Sequence, residues 1–79
     1  MSNELGRGRT KELRGRYVSA DFSSTDLHGY VLSGDFIDVD FNSADLTSAT
    51  LSGEFTDVDF RDANLTSATL SGTFNRCMF

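Results

Sequence analysis

Asp38-Val39-Asp40-Phe41-Asn42 carries oxygen donors at alternate positions, which is how a calcium-binding loop begins. The match stops there. Ser43 stands where that loop needs a glycine and Ala49 where it needs its last glutamate, so the calcium reading is rejected. The other reactive residues are equally isolated. One histidine, His28, and one cysteine, Cys77, cannot build a zinc site or an internal disulfide, and the pattern places no thiol or paired acid to orient the imidazole. Serine and threonine are plentiful, but none lies in a nucleophile motif. Gly6-Arg7-Gly8-Arg9 has no strand before it and no Gly-Lys-Ser/Thr after it, which excludes a phosphate-binding loop. Asn64-Leu65-Thr66 is a glycosylation sequon only if the protein is secreted. The residues therefore predict a non-enzymatic protein with no catalytic site, no metal and no cofactor.

What positions these side chains is a repeat. From residue 20 the chain reads ADFSSTDLHGYVLSGDFID, VDFNSADLTSATLSGEFTD, VDFRDANLTSATLSGTFNR and a final CMF, a period of 19 residues. Large apolar residues advance by five, five, four and five: Phe22, Leu27, Leu32, Phe36, then Phe41 and onward to Phe79. All seven phenylalanines lie on this ladder. Two residues before each rung sits a smaller residue, such as Ala20, Val39, Ala44 or Gly53, with Tyr30 the one large exception. Residues two apart on an extended segment share a face, so each segment turns one small and one large side chain inward. The Ser, Thr, Asp, Asn and Gly between them suit corners. No helical period fits spacings of five.

Ala44-Asp45-Leu46-Thr47-Ser48, Ala63-Asn64-Leu65-Thr66-Ser67 and the looser Ala20-Asp21-Phe22-Ser23-Ser24 resemble the pentapeptide-repeat family, whose pattern is A-(D/N)-L-x-x. The resemblance covers residues 20–79 and reaches back more weakly to Leu13, Gly15 and Tyr17. It implies an all-β fold, a right-handed parallel quadrilateral β-helix with one pentapeptide per side, here slightly over three coils. The chain departs from the family pattern once per coil. Between Leu32 and Phe36, Leu51 and Phe55, and Leu70 and Phe74 the ladder advances only four residues, each time with a glycine: Gly34, Gly53 or Gly72. That glycine is expected to serve as both a tight or left-handed corner and the small inward residue.

Stacked coils would bring residues 19 apart within about 4.8 Å. Asp21, Asp40 and Asp59 then form one outward column and Asp38 and Asp57 another, ending at Arg76. Like charges at that spacing repel by roughly 0.9 kcal/mol before screening, so these columns cost a little stability. They keep a β-rod from sticking to its neighbours, or they imitate the phosphates of DNA.

The net charge of −5 divides unevenly. Residues 1–19 carry Arg7, Arg9, Lys11, Arg14 and Arg16 against Glu4 and Glu12, for +3, while residues 20–79 carry −8. Residues 1–12 read as a basic arm, disordered or partner-bound, and residues 13–79 as the β-helix. The arm suits docking on an acidic protein surface better than direct nucleic-acid binding. At the other end the repeat breaks off one side into a coil, with Cys77 and Phe79 predicted inward and Met78 outward. That open end predicts a protein partner or self-association. No apolar run suggests a membrane span or signal peptide, which predicts a cytoplasmic or virion-associated protein. The expected function is a small rod that decorates or cements a larger assembly, for instance a phage or virion particle. The alternative is a DNA mimic that modulates a DNA-binding enzyme such as gyrase.

Overall fold

The computed structural model describes residues 11–79. Eight short strands follow one another: β1 (Glu12–Leu13), β2 (Arg16–Val18), β3 (Val31–Leu32), β4 (Asp35–Ile37), β5 (Thr50–Leu51), β6 (Glu54–Thr56), β7 (Thr69–Leu70) and β8 (Thr73–Asn75). Neighbours in sequence do not pair. Instead β1-β3-β5-β7 form one parallel sheet and β2-β4-β6-β8 another. Every pairing is offset by one period, as in Leu13↔Leu32, Leu32↔Leu51 and Leu51↔Leu70. Two further parallel ladders of single bridges complete the four sides, Asp21↔Asp40↔Asp59↔Met78 and Asp26↔Asp45↔Asn64. The chain is thus a β-solenoid of about three turns. Hydrogen bonds join the coils in both directions: Leu27 N–H donates to the Asp45 carbonyl at 2.8 Å, and Asp45 N–H donates back to Thr25 at 2.9 Å.

The apolar ladder turns inward as its spacing predicts. Phe36, Phe41, Leu46, Leu51 and Phe55 are wholly buried. The phenylalanines form two parallel stacks. Tyr17, Phe36, Phe55 and Phe74 lie with centroids 5.0, 4.9 and 4.8 Å apart and interplanar angles of 8° or less. Phe22, Phe41, Phe60 and Phe79 repeat the arrangement at 5.3, 5.3 and 5.1 Å. The two columns meet at tilted contacts such as Phe36–Phe41, 5.9 Å apart at 54°. Offset and tilted rings add attraction beyond the area they bury, so each coil is fastened to the next by two aromatic contacts.

Three corners of each coil take the left-handed backbone conformation, and apart from Gly29 in the first coil, with φ of 74°, they do so without glycine. Ser24, Ser43 and Asp62 hold φ of 55–62°, Ser48 and Ser67 hold 61°, and Ser19, Asp38, Asp57 and Arg76 hold 51–60°. Short polar residues tolerate this region better than bulky ones. The fourth corner has a different basis, and here the left-handed alternative of the sequence expectation is corrected, while the small inward position stands, with Gly53 buried. Gly34, Gly53 and Gly72 do not have positive φ. A Cβ at Gly53 would overlap the carbonyl oxygen of Gly34 in the coil beneath, and one at Gly72 would overlap that of Gly53. Glycine recurs because adjacent backbones close into the space a side chain would need.

Candidate functional site

Among the described residues no pocket opens on the surface, and no group of three or more His, Cys, Asp or Glu could hold a metal ion. No helix among them is long and apolar enough to cross a membrane. Three surfaces carry the predicted residues: the acidic columns, the cations of the first coil and the uncovered last coil.

The structure aligns Asp21, Asp40 and Asp59 in one bridged column, with Asp38 and Asp57 at the adjoining corner. It also shows an employment for these acids that the spacing did not reveal. The Asp21 carboxylate accepts from Ser23 N–H at 2.9 Å and from the Ser23 hydroxyl at 2.6 Å. Asp40 accepts from Asn42 N–H at 2.8 Å, and Asp59 from Arg61 N–H at 2.9 Å. On the next side Asp26, Asp45 and Asn64 accept from the N–H two residues ahead at 3.1, 3.0 and 3.1 Å. Each is an Asx turn in which the side-chain oxygen satisfies a backbone donor at the corner. Asn64 does this without charge, so the column position needs an oxygen acceptor rather than an anion. The family pattern of Asp or Asn before the inward Leu was the available signal.

These bonds hold several carboxyls below the ordinary aspartate range. At Asp21 the main cause is the Ser23 hydroxyl, then the Ser23 N–H; at Asp45 it is the Thr47 hydroxyl, then the Thr47 N–H. The Arg61 side chain acts first on Asp59, with Nε and Nη2 at 3.0 and 2.9 Å. Asp57 is lowered mainly by Arg76, whose Nε and Nη2 lie 2.7 and 3.0 Å from its oxygens. Both carboxylates of the last coil pair are therefore clasped by a guanidinium fork.

Of the predicted basic residues, Arg7 and Arg9 lie outside the described residues. Lys11, Arg14 and Arg16 stand exposed on the first coil: Arg16 lies on β2, already paired with β4, and Lys11 and Arg14 flank β1. The Lys11 carbonyl accepts from Val31 N–H at 2.9 Å. Arg14 approaches Glu12 at 3.9 Å, an exposed pair that adds little stability. Arg16 is in register with Asp35, placing a cation at the foot of the column that continues through Glu54.

The last coil shows the clearest departure from a closed solvent-facing surface. Leu70 is 46% exposed, Met78 48% and Phe79 61%. Phe79 still stacks on Phe60 and tilts against Phe74 at 6.1 Å, so it sits in the inward column with one face bare. Cys77 is half-buried in the column of Ala20, Val39 and Val58, with its Sγ 3.4 Å from the Phe55 carbonyl oxygen. Met78 extends the Asp21-Asp40-Asp59 column and donates its N–H to Val58 at 3.0 Å. His28 is exposed.

Comparison with known proteins gives one family. A family model described as pentapeptide repeats matches residues 19–53 and 54–74 in eight copies. Comparison with curated proteins finds no match.

Proposed function

The chain belongs to the pentapeptide-repeat family, and from that premise we propose that it is an attachment rod that decorates or cements a larger protein assembly, such as a virion particle. Proteins of this family are generally non-enzymatic structural or interaction proteins. The observation that carries the reading is the uncovered apolar coil of Leu70, Phe74 and Phe79. Solenoids normally cap such an end, and an exposed parallel edge offers unpaired backbone groups along with its apolar columns. The first-coil cations supply the second contact, directed at an acidic protein surface.

The DNA-mimic reading draws on the acidic columns. Its weakness is their local employment: Asp21, Asp40 and Asp59 cap turns, Asp57 and Asp59 bind arginine, and the columns end in Met78, Arg76 and Asn64 rather than in further acids. Supercoiling by gyrase in the presence of the pure protein tests it directly, and inhibition there would replace the attachment reading.

The attachment reading is tested by affinity capture with the whole chain beside two variants, Phe79→Asp and a deletion of residues 1–11. One set of protein partners should be enriched by the wild type and lost with Phe79→Asp. The deletion should keep the β signal in circular dichroism and weaken capture most at low salt. Equal capture by all three chains would remove both surfaces from the function.

A further inference from the structure

We propose that the last coil takes as its partner a second copy of this chain, stacked head to tail so that the incoming first coil continues the 19-residue register. The inference rests on reading the coil end as a contact surface and names what covers it. In that register residues 11–22 of one copy lie over residues 68–79 of the other. Leu13 then stands on Leu70, Tyr17 on Phe74 and Phe22 on Phe79, the same columns that already pair as Leu13↔Leu32, Tyr17↔Phe36 and Phe22 on Phe41 inside one chain. Leu13, Tyr17 and Phe22 are only partly buried, as is Phe74 at the opposite end, where Leu70 and Phe79 are exposed. The two ends are therefore open in the same columns.

Steric fit adds a stricter condition. A coil resting on another must bring a glycine over the glycine carbonyl beneath it, as Gly34, Gly53 and Gly72 each do. The residue that the incoming coil places over Gly72 is Gly15. Gly15 has no Cβ to bar that approach, and nothing in its own chain lies within 4 Å of where one would stand, so the space is free to receive the carbonyl beneath.

Charge selects the same direction. The first coil presents Lys11, Arg14 and Arg16, whereas the body above it is acidic. Head-to-tail stacking sets Arg16 over Thr73, whose column continues to Glu54. Joining two last coils instead would set Arg61 and Arg76 of one copy near the same residues of the other, across coils whose one carboxylate side chain is Asp62. Screening by salt should thus weaken the head-to-tail contact, and it would strengthen a tail-to-tail one.

A head-to-tail interface repeats by translation along the rod and does not close, so it produces a series of oligomers rather than a dimer. Sedimentation velocity of the whole chain should show mass rising past the dimer with concentration, and falling as salt is raised. Phe79→Asp blocks one end and Leu13→Asp the other, and each should weaken association by at least tenfold, about the loss of one central apolar contact. An equimolar mixture of the two should form a dimer and nothing larger, because one good end of each remains. Arg14→Glu with Arg16→Glu, which touches no buried residue, replaces Leu13→Asp if that variant loses its circular dichroism. Dimers of Leu13→Asp, or of the arginine double variant, that vanish with Phe79→Asp would overturn the proposal in favour of two last coils. A wild type that stays monomeric throughout overturns it as well. If Phe79→Asp still abolishes capture of a protein assembly in that case, the attachment reading survives alone.

Discussion

Residues 46–53 and 65–72 are the same octapeptide, LTSATLSG, one coil apart. Their backbones agree closely: Ser48 and Ser67 both hold φ of 61°, and Thr50 and Thr69 lie in register as do Leu51 and Leu70. Their burial does not agree. Leu51 is fully enclosed and Leu70 is 46% exposed; Leu46 and Ala49 are buried, Leu65 and Ala68 only partly. Identical local sequence therefore gives identical local geometry and very different energetic standing. The conformation of a coil follows from its own corners and inward residues, while its stability depends on having a coil on each side.

The sharpest way to break this contrast is a buried charge. Leu51→Asp should unfold the rod, because the carboxylate enters an apolar interior with no partner, whereas Leu70→Asp should leave the circular dichroism of the wild type. Truncation grades the same effect: Leu51→Ala is expected to cost about 2–5 kcal/mol in urea unfolding and Leu70→Ala roughly 1 kcal/mol or less. Equal losses at the two leucines would mean that Leu70 is covered in solution, and repeating the measurement at low protein concentration would show whether a second copy covers it.

Acid should separate the coils next, because the middle octapeptide follows Asp45 and the later one follows Asn64. A carboxyl held below its unfolded pKa contributes stability above that value and loses it as pH falls through the folded one. Asp45, Asp21, Asp57 and Asp59 are all lowered, so stability should be flat from neutral pH to about 4 and then decline. Asp45→Asn should keep near-neutral stability, since Asn64 makes the same turn, and remove part of the acid decline. A variant that melts much lower at neutral pH would show that the charge itself is required.

The smallest expected effect is a shared one. Ser48→Gly and Ser67→Gly each relieve a left-handed serine and add the entropy cost of glycine, leaving a net change under about 1 kcal/mol. The two melting temperatures should shift equally, because corner strain is local. A shift confined to Ser48 would show that corners, too, depend on their neighbours.

Much of the architecture was readable from residue spacing alone. The five-five-four-five ladder put Phe41, Leu46, Leu51 and Phe55 inside, and the period fixed which residues pair across coils. Spacing could not show what the acids do, because Asp21 beside a hydroxyl and Asp57 beside Arg76 look alike as outward letters. Nor could it distinguish two reasons for glycine: the left-handed φ of Gly29 and the crowded approach at Gly53 are both written as G. Surface function was the least legible. A repeating exterior offers no convergent cluster of unlike groups, and the departures that matter, Leu70 and Phe79 left bare, follow from stacking rather than from residue type.

The close contact between each glycine and the carbonyl beneath it also governs how such a rod can lengthen across generations. Duplicating a whole coil carries a new glycine into phase, and the copied stretch finds a seat at once, which is consistent with two coils sharing one octapeptide. Inserting a single five-residue side ahead of Ser67 would instead move that serine into the place of Gly72, over the Gly53 carbonyl, and jam the stack. The glycine column thus works as a reading frame in three dimensions, accepting additions only in whole coils.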